Sequence, residues 1–209
     1  MDTLLAAILV AEAKPGKELE MQQAFSTVVD QSKKEAGCLA YRIHVDVANP
    51  AKVLLYGIWD DEQAHDRHAE REYIQQLVRR LSVDDLLVKP FVVYFLGMVS
   101  QNEKEVAAHS FPHVVFVRLV AKPGKEDRLQ KELVKVAALS AQEQACREYH
   151  VLRDVENSAA FMLYEGWQSA QLHQLQFSKQ YILDFVAFLE GEDVLAQPWC
   201  SVFGREISK

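Results

Sequence analysis

Cysteine is scarce, with three in 209 residues, at positions 38, 146 and 200. Three thiols cannot all pair with one another, and none sits in a CxxC spacing or a nucleophile motif. This argues for buried free thiols in a reducing, cytoplasmic setting. Basic charge is also short: 23 Lys and Arg against 30 Asp and Glu give a net charge of −7. A broad nucleic-acid surface needs a basic patch, so nucleic acid is not an expected partner. No apolar run approaches the ~20 residues of a membrane helix. The opening MDTLLAAILVAEAKPG lacks a basic start and carries Glu12 inside its apolar part. Neither a membrane partner nor a secretory signal is expected. Gly16 and Gly124 stand alone in turns and do not make a phosphate loop. Apolar side chains, by contrast, make up 49% of the residues, beside 25% charged, the balance of a globular protein.

The sequence repeats itself. Glu35–Trp59, EAGCLAYRIHVDVANPAKVLLYGIW, returns at Glu143–Trp167 as EQACREYHVLRDVENSAAFMLYEGW, 108 residues later and without a gap. KPGKE at Lys14–Glu18 recurs at Lys122–Glu126, and His65, Tyr73 and Pro90 recur as His173, Tyr181 and Pro198. Over positions 14–91 and 122–199 there are 27 identities in 78 aligned pairs. Unrelated segments would not hold that match ungapped, so the chain is read as a duplicated domain. The expected division is a first repeat at 1–99, a linker at 100–111 and a second repeat at 112–209.

Within each repeat the periodicity predicts βαββαβ. Leu4–Ala13 is a nearly continuous apolar run, a strand buried on both faces. KPGKE turns into a helix whose inner face is Met21, Phe25, Val28 and Ser32, repeated as Leu129, Leu133, Val136 and Ser140. Gly37 closes that helix. Alternation then sets Leu39, Tyr41, Ile43, Val45 and Val47 on one side of a strand and Arg42, His44 and Asp46 on the other. Asn49-Pro50 and Asn157-Ser158 mark a hairpin turn. Lys52–Trp59 is apolar on both faces, Asp60–Leu81 is helical, and Pro90–Val99 closes the unit. The fold class is α+β, with two ferredoxin-like repeats. Strands apolar on both faces need cover. The simplest cover packs the two sheets together as an intramolecular pseudo-dimeric α/β barrel, either monomeric or a homodimer of it.

KPGKE after strand one, E-x-x-C-x-x-Y into strand two and Y-G/E-x-W ending strand three resemble the antibiotic biosynthesis monooxygenase (ABM) family of the dimeric α/β barrel superfamily. The resemblance spans nearly all of both repeats. It implies a pocket between sheet and helices and a small-molecule substrate, with aromatic compounds among the candidates. Among the reactions it implies are cofactor-independent oxidation and isomerisation of a phenolic, quinolic or enolic compound. No flavin, haem or metal motif is visible, so no cofactor is expected. A non-catalytic ligand-binding or stress-response module is the alternative. Haem degradation is disfavoured, because Leu9 and Val117 stand where such relatives carry Asn and His68 stands where they carry Trp. The family pattern has Glu two residues before the strand-three Trp and His nine residues after it. The first repeat has Gly57 but keeps His68; the second keeps Glu165 but has Gln176.

Candidate chemistry follows from these positions. Trp59 and Trp167 are either strand-end packing or flat pocket walls. His65 and His68 share a helix face, and with His44 they form three imidazoles that could converge for acid–base work at neutral pH. Two His three residues apart without a carboxylate or Cys pattern do not make a metal site. Glu165 lies on an apolar strand face, where a carboxylate must be paired or protonated. Arg153 or Arg118 is its expected partner, as a salt bridge or an anion pocket. The first repeat is expected to hold the reactive pocket, with His68 and His65 catalytic, Trp59 and Tyr73 as walls and His44 alongside. Glu165, Trp167 and Arg153 are substrate-binding candidates in the second.

Overall fold

A computed structural model describes residues 4–103, 111–191 and 193–208. The element order is β1 (Leu5–Glu12), α1 (Glu18–Ser26), α2 (Val29–Ser32), β2 (Cys38–Asp46), β3 (Lys52–Trp59), α3 (Glu62–Ala69), α4 (Glu72–Val83) and β4 (Val92–Glu103). The second repeat supplies β5 (His113–Val120), α5 (Glu126–Ser140), β6 (Cys146–Asp154), β7 (Ala160–Trp167), α6 (Ala170–Leu175), a 3-10 turn at Gln176–Ser178, α7 (Gln180–Gly191) and β8 (Cys200–Glu206). Hydrogen bonding orders the strands β1-β3-β2-β8-β5-β7-β6-β4, and the order closes on itself. Each repeat therefore has the 4-1-3-2 strand order of a ferredoxin-like unit: β4-β1-β3-β2 and β8-β5-β7-β6. The fold is α+β with barrel topology, as the periodicity anticipated. The chain divides into two compact units at residues 96/97 and 203/204. Strand β4 runs to Glu103, into the stretch read as a linker; residues 104–110 of that stretch lie outside the described residues.

Register explains which side chains share a face. In the second unit β7 lies between β5 and β6, with Trp167 opposite His113 and Cys146 and Glu165 opposite Val115 and Tyr149. In the first unit Trp59 lies opposite Leu5 and Cys38, and Gly57 opposite Ala7 and Tyr41. Tyr41, Ile43, Val45, Val53, Leu55 and Trp59 join Met21, Phe25 and Leu81 in one core. Leu129, Leu133, Tyr149, Val151, Leu163 and Trp167 form its counterpart. The expected face of β2 is correct at its centre only. The register shifts between Cys38 and Ala40 and the strand ends at Asp46, so Leu39 and Val47 are exposed.

The first helix differs between the repeats for a local reason. α5 is continuous, whereas its counterpart breaks between Ser26 and Val29. The break falls at Thr27-Val28-Val29, three β-branched residues with poor helix propensity. Thr27 Oγ1 also takes the Ala24 carbonyl at 2.7 Å, a local bond that competes with the helix ladder. The matching residues in α5 are Lys135, Val136 and Ala137.

Candidate active site

The two units build different polar centres on the same scaffold. In the first, Asp61 caps α3 by accepting from the Ala64 amide at 2.7 Å, which fixes where His65 and His68 leave the helix. His68 lies against Trp59, ring centroids 4.5 Å apart, and 5.2 Å from Tyr41. Its Nδ1 is 3.1 Å from Glu35 Oε1. Tyr73 donates its hydroxyl to the same oxygen, and Arg71 stands 3.9 Å from Oε2. Burial holds the His68 pKa below the ordinary imidazole value, with the Glu35 hydrogen bond opposing. His65 is lowered by burial and by His68, and its ring meets the Phe95 edge at 5.0 Å. The structure therefore brings together Trp59, His65, His68 and Tyr73, and adds Glu35, which the sequence showed as the first residue of the E-x-x-C-x-x-Y motif but not as a site candidate.

His44 does not join them. It points to the opposite face of β2 from Tyr41 and Ile43, fully buried, with Nδ1 3.3 Å from the Leu54 carbonyl. Burial lowers its pKa to about 3. The expected convergence of three imidazoles is thus corrected to two, because alternation along a strand separates 44 from 41 and 43.

In the second unit the polar centre is Glu165, 4% exposed. Its Oε2 accepts from Trp167 Nε1 at 2.9 Å, and Tyr149 and Gln176 also hydrogen-bond to it. Ser140 Oγ and Tyr181 OH donate to Gln176 Oε1 at 3.3 and 3.5 Å. With its oxygen taken by two hydroxyls, the Gln176 amide presents its NH2 to the carboxyl. His173 Nε2 stands 3.6 Å from Glu165 Oε2, and its Nδ1 is 3.1 Å from His113 Nε2. Burial raises the Glu165 pKa to about 7 despite the donors. Burial and His113 lower His173 to about 4. At neutral pH the His173–Glu165 contact is therefore not an ion pair but a neutral imidazole beside a half-titrated carboxyl.

The expected Glu165–Arg153 pair does not form. Register sets Tyr149 opposite Glu165 and Arg153 opposite Phe161. Four residues along a strand is about 13 Å. Arg153 instead donates to the Ser158 carbonyl at 2.6 Å and to Gln130 at 3.2 Å, with its guanidinium 5.3 Å over Phe161.

A cavity of about 160 Å³ opens beside Glu165. Its walls are mainly apolar, among them Val115, Leu163, Ile182 and Leu189; Tyr149, Glu165, His173 and Gln176 supply polar atoms. Phe177, Trp199 and Phe203 line it while remaining 39–50% exposed, and so form its mouth. This cavity lies in the second repeat, whereas the sequence pointed to the first. Where Phe177 stands the first repeat has Ala69, and where His113 stands it has Leu5. Among the described residues no group of three or more His, Cys, Asp or Glu could hold a metal ion, and no helix is long and apolar enough to cross a membrane.

The sequence profile of the antibiotic biosynthesis monooxygenase family matches residues 5–80 and again residues 112–187. An uncharacterized protein of Synechocystis is 29% identical over 79 residues, covering 38% of this chain. The match spans 52%, about half, of that relative's length. Among solved structures, a candidate monooxygenase of Fusobacterium nucleatum superposes with a TM-score of 0.87 at 13% identity, over 99% of this chain and 94% of its own. A candidate monooxygenase of Lactobacillus acidophilus gives 0.80 at 14% identity, over 98% and 94%. An anthrone oxidase-like protein gives 0.74 at 16% identity, over 99% and 92%. At these identities the structural likeness concerns the fold.

Proposed function

Because the chain belongs to the antibiotic biosynthesis monooxygenase family, we propose that its second repeat binds a small phenolic, quinolic or enolic molecule and oxidises it, with Glu165 as the base. The observation that carries this reading is a fully buried carboxyl, its pKa raised to about 7, on the wall of an apolar cavity. A base works best when its pKa lies near the working pH. An ordinary phenol titrates near 10, so transfer to Glu165 is uphill by about 3 pKa units, or about 4 kcal/mol. That penalty falls for a quinol or enol made more acidic by a conjugated carbonyl. The volume fits one ring, since a cavity of about 150 Å³ accommodates benzene.

Tyr149, Trp167 and Gln176 hold the carboxyl in place, and the aromatic mouth limits water. Deprotonation gives an electron-rich anion that reacts with dioxygen. One oxygen atom replaces a ring hydrogen and becomes a carbonyl, and the other leaves as water. The substrate supplies all four electrons, so a phenol and O2 give a quinone and water with nothing else consumed. In this reading the first repeat is the structural half, because His68 is already engaged by Glu35 and Trp59.

The test is oxygen uptake and product analysis with single-ring phenols, quinols and catechols beside three-ring anthrones. A single-ring substrate should turn over, and Glu165→Gln should lower kcat at least ~100-fold, the usual worth of a general base. Ligand binding without oxygen uptake by any member would replace the enzymatic reading with a binding module.

A further inference from the structure

His113 has no part in walling the cavity, yet it touches the group that touches Glu165. Three titratable side chains run in a row: Glu165 Oε2 to His173 Nε2 at 3.6 Å, then His173 Nδ1 to His113 Nε2 at 3.1 Å. The row is a product of register and helix placement. His113 begins β5 opposite Trp167, two residues past Glu165 on the same face of β7. His173 comes from α6, which Ser169 caps by accepting from the Leu172 amide at 3.2 Å. The His173 ring rests on Trp167 with centroids 4.9 Å apart, and His113 is stacked on Phe203 at 5.8 Å. His113 is the least enclosed of the three, 7% exposed against 4% for His173 and Glu165.

The first repeat keeps the middle of this row and lacks both ends. It has His65 for His173, Gly57 for Glu165 and Leu5 for His113. The two ends are thus absent together from the first repeat, whereas the middle histidine is present in both.

We propose that Glu165, His173 and His113 form one proton-conducting row, along which the proton taken by Glu165 leaves the cavity. This rests on the reading of Glu165 as the base. Two proton arrangements satisfy the row once the 3.6 Å contact between His173 and Glu165 has closed to hydrogen-bond length. With Glu165 ionised, His173 Nε2–H donates to the carboxylate and His113 Nε2–H donates to His173 Nδ1. With Glu165 protonated, its O–H donates to His173 Nε2 and His173 Nδ1–H donates to His113 Nε2, so His113 carries its own proton on Nδ1. Passage from the second to the first moves three protons by one place each. Glu165 gives its proton to His173 Nε2, His173 gives the Nδ1 proton to His113 Nε2, and His113 releases its Nδ1 proton outward. One proton leaves, Glu165 regains its charge, and both imidazoles end neutral. The 3.6 Å step must close by about 0.7 Å to reach hydrogen-bond length, a tightening that substrate binding commonly brings about. The other titratable groups facing Glu165 are Tyr149 on β6 and Tyr181 on α7; burial raises both above the ordinary phenol value, so neither competes as an acceptor.

The test needs no substrate. The full chain is labelled with 15N, and the Trp167 indole N–H, bonded to Glu165, reports that carboxyl's ionisation. The ring-nitrogen shifts of His113 and His173 report their tautomers. Between pH 5 and 9 the indole signal should titrate near neutrality, and both imidazoles should exchange tautomers with the same midpoint. In His113→Phe, which keeps the stacking surface on Phe203, the indole should still titrate while His173 loses its coupled switch. A titrating indole with imidazoles fixed in one tautomer would overturn the row and leave the base assignment standing. An indole that does not titrate would overturn both. The wild-type measurement decides the matter even if the variant does not fold.

Discussion

At Glu165 two effects oppose each other. Burial favours the neutral acid, while the Trp167, Tyr149 and Gln176 donors favour the carboxylate, and burial wins by enough to place the pKa at about 7. The first repeat resolves the same problem differently. Gly57 removes the carboxyl from the strand, where a Cβ would meet Trp59 Nε1 at 3.0 Å. Glu35 supplies one from the helix end instead, with its side chain 8% exposed. Its counterpart Glu143 has no histidine to meet, since Gln176 replaces His68, and it pairs with Lys179 at 3.5 Å with its side chain 27% exposed. Glu35→Ala is therefore expected to strand His68 and Tyr73 and cost about 1.5–3 kcal/mol of stability, the usual range for hydrogen bonds to a charged group. Urea unfolding measures that cost, and turnover at the second-repeat cavity should stay within twofold of wild type. Glu165 and Trp167 were legible in the sequence because a carboxylate on an otherwise apolar strand has to be explained. Glu35 was visible only as the first residue of the E-x-x-C-x-x-Y motif, with no role attached, since a helix-end loop has no periodicity to violate. Nothing in the sequence singles out His113, whose place beside His173 depends on the register of β5 with β7.

Among the elements, the turns and helix ends carry much of the duplication. Lys14 and Lys122 of the two KPGKE turns each reach an aspartate, Asp85 and Asp193, at 2.5 Å, and both aspartates adopt a left-handed backbone, φ 52° and 48°. Gly37 and Gly124 also have positive φ, +87° and +78°, but their surroundings differ. A Cβ at Gly37 would lie 2.6 Å from Ala64 Cβ at the start of α3, whereas nothing lies within 4 Å of one at Gly124. Both alanine variants bear the left-handed backbone cost of about 1–2 kcal/mol. Gly37→Ala should cost a further 1–3 kcal/mol from overpacking, visible as a lower urea midpoint than Gly124→Ala. The number and kind of elements could be read from hydrophobic period and from the repeat itself. The break at Thr27 and the bulge at Cys38 could not, because the inner-face pattern of Met21, Phe25, Val28 and Ser32 runs through the break unchanged. The Arg153–Glu165 pairing failed for a similar reason: alternation gives the face of a residue but not its position along the partner strand.

For the molecule as a whole, three buried groups shape the dependence of stability on pH. Glu165 rises from 4.5 to about 7 on folding, so the folded state holds an extra proton between those values. Its contribution is complete below about pH 4.5 and is lost as pH rises through 7, a difference on the order of 3 kcal/mol. His44 and His173 fall from 6.5 to about 3 and about 4, so their contributions are present above 6.5 and are lost as pH drops toward those values. Below 6.5 the two histidines together outweigh Glu165, so urea melts at pH 5, 7 and 8.5 should show stability lower by about 1–2 kcal/mol at pH 5 and nearly level between 7 and 8.5. Glu165→Gln should deepen the acid loss by about 2 kcal/mol, because a proton on Glu165 no longer offsets the two histidines, and leave the range from 7 to 8.5 unchanged. The central claim, that Glu165 is a buried carboxyl poised to take a proton at neutral pH, is tested most directly by infrared difference spectroscopy of wild type against Glu165→Gln across pH 4–9. The account predicts a protonated-carboxyl band, absent from the variant, that disappears with a midpoint near pH 7. A band already lost by about pH 5, the range of an ordinary glutamate, would contradict it.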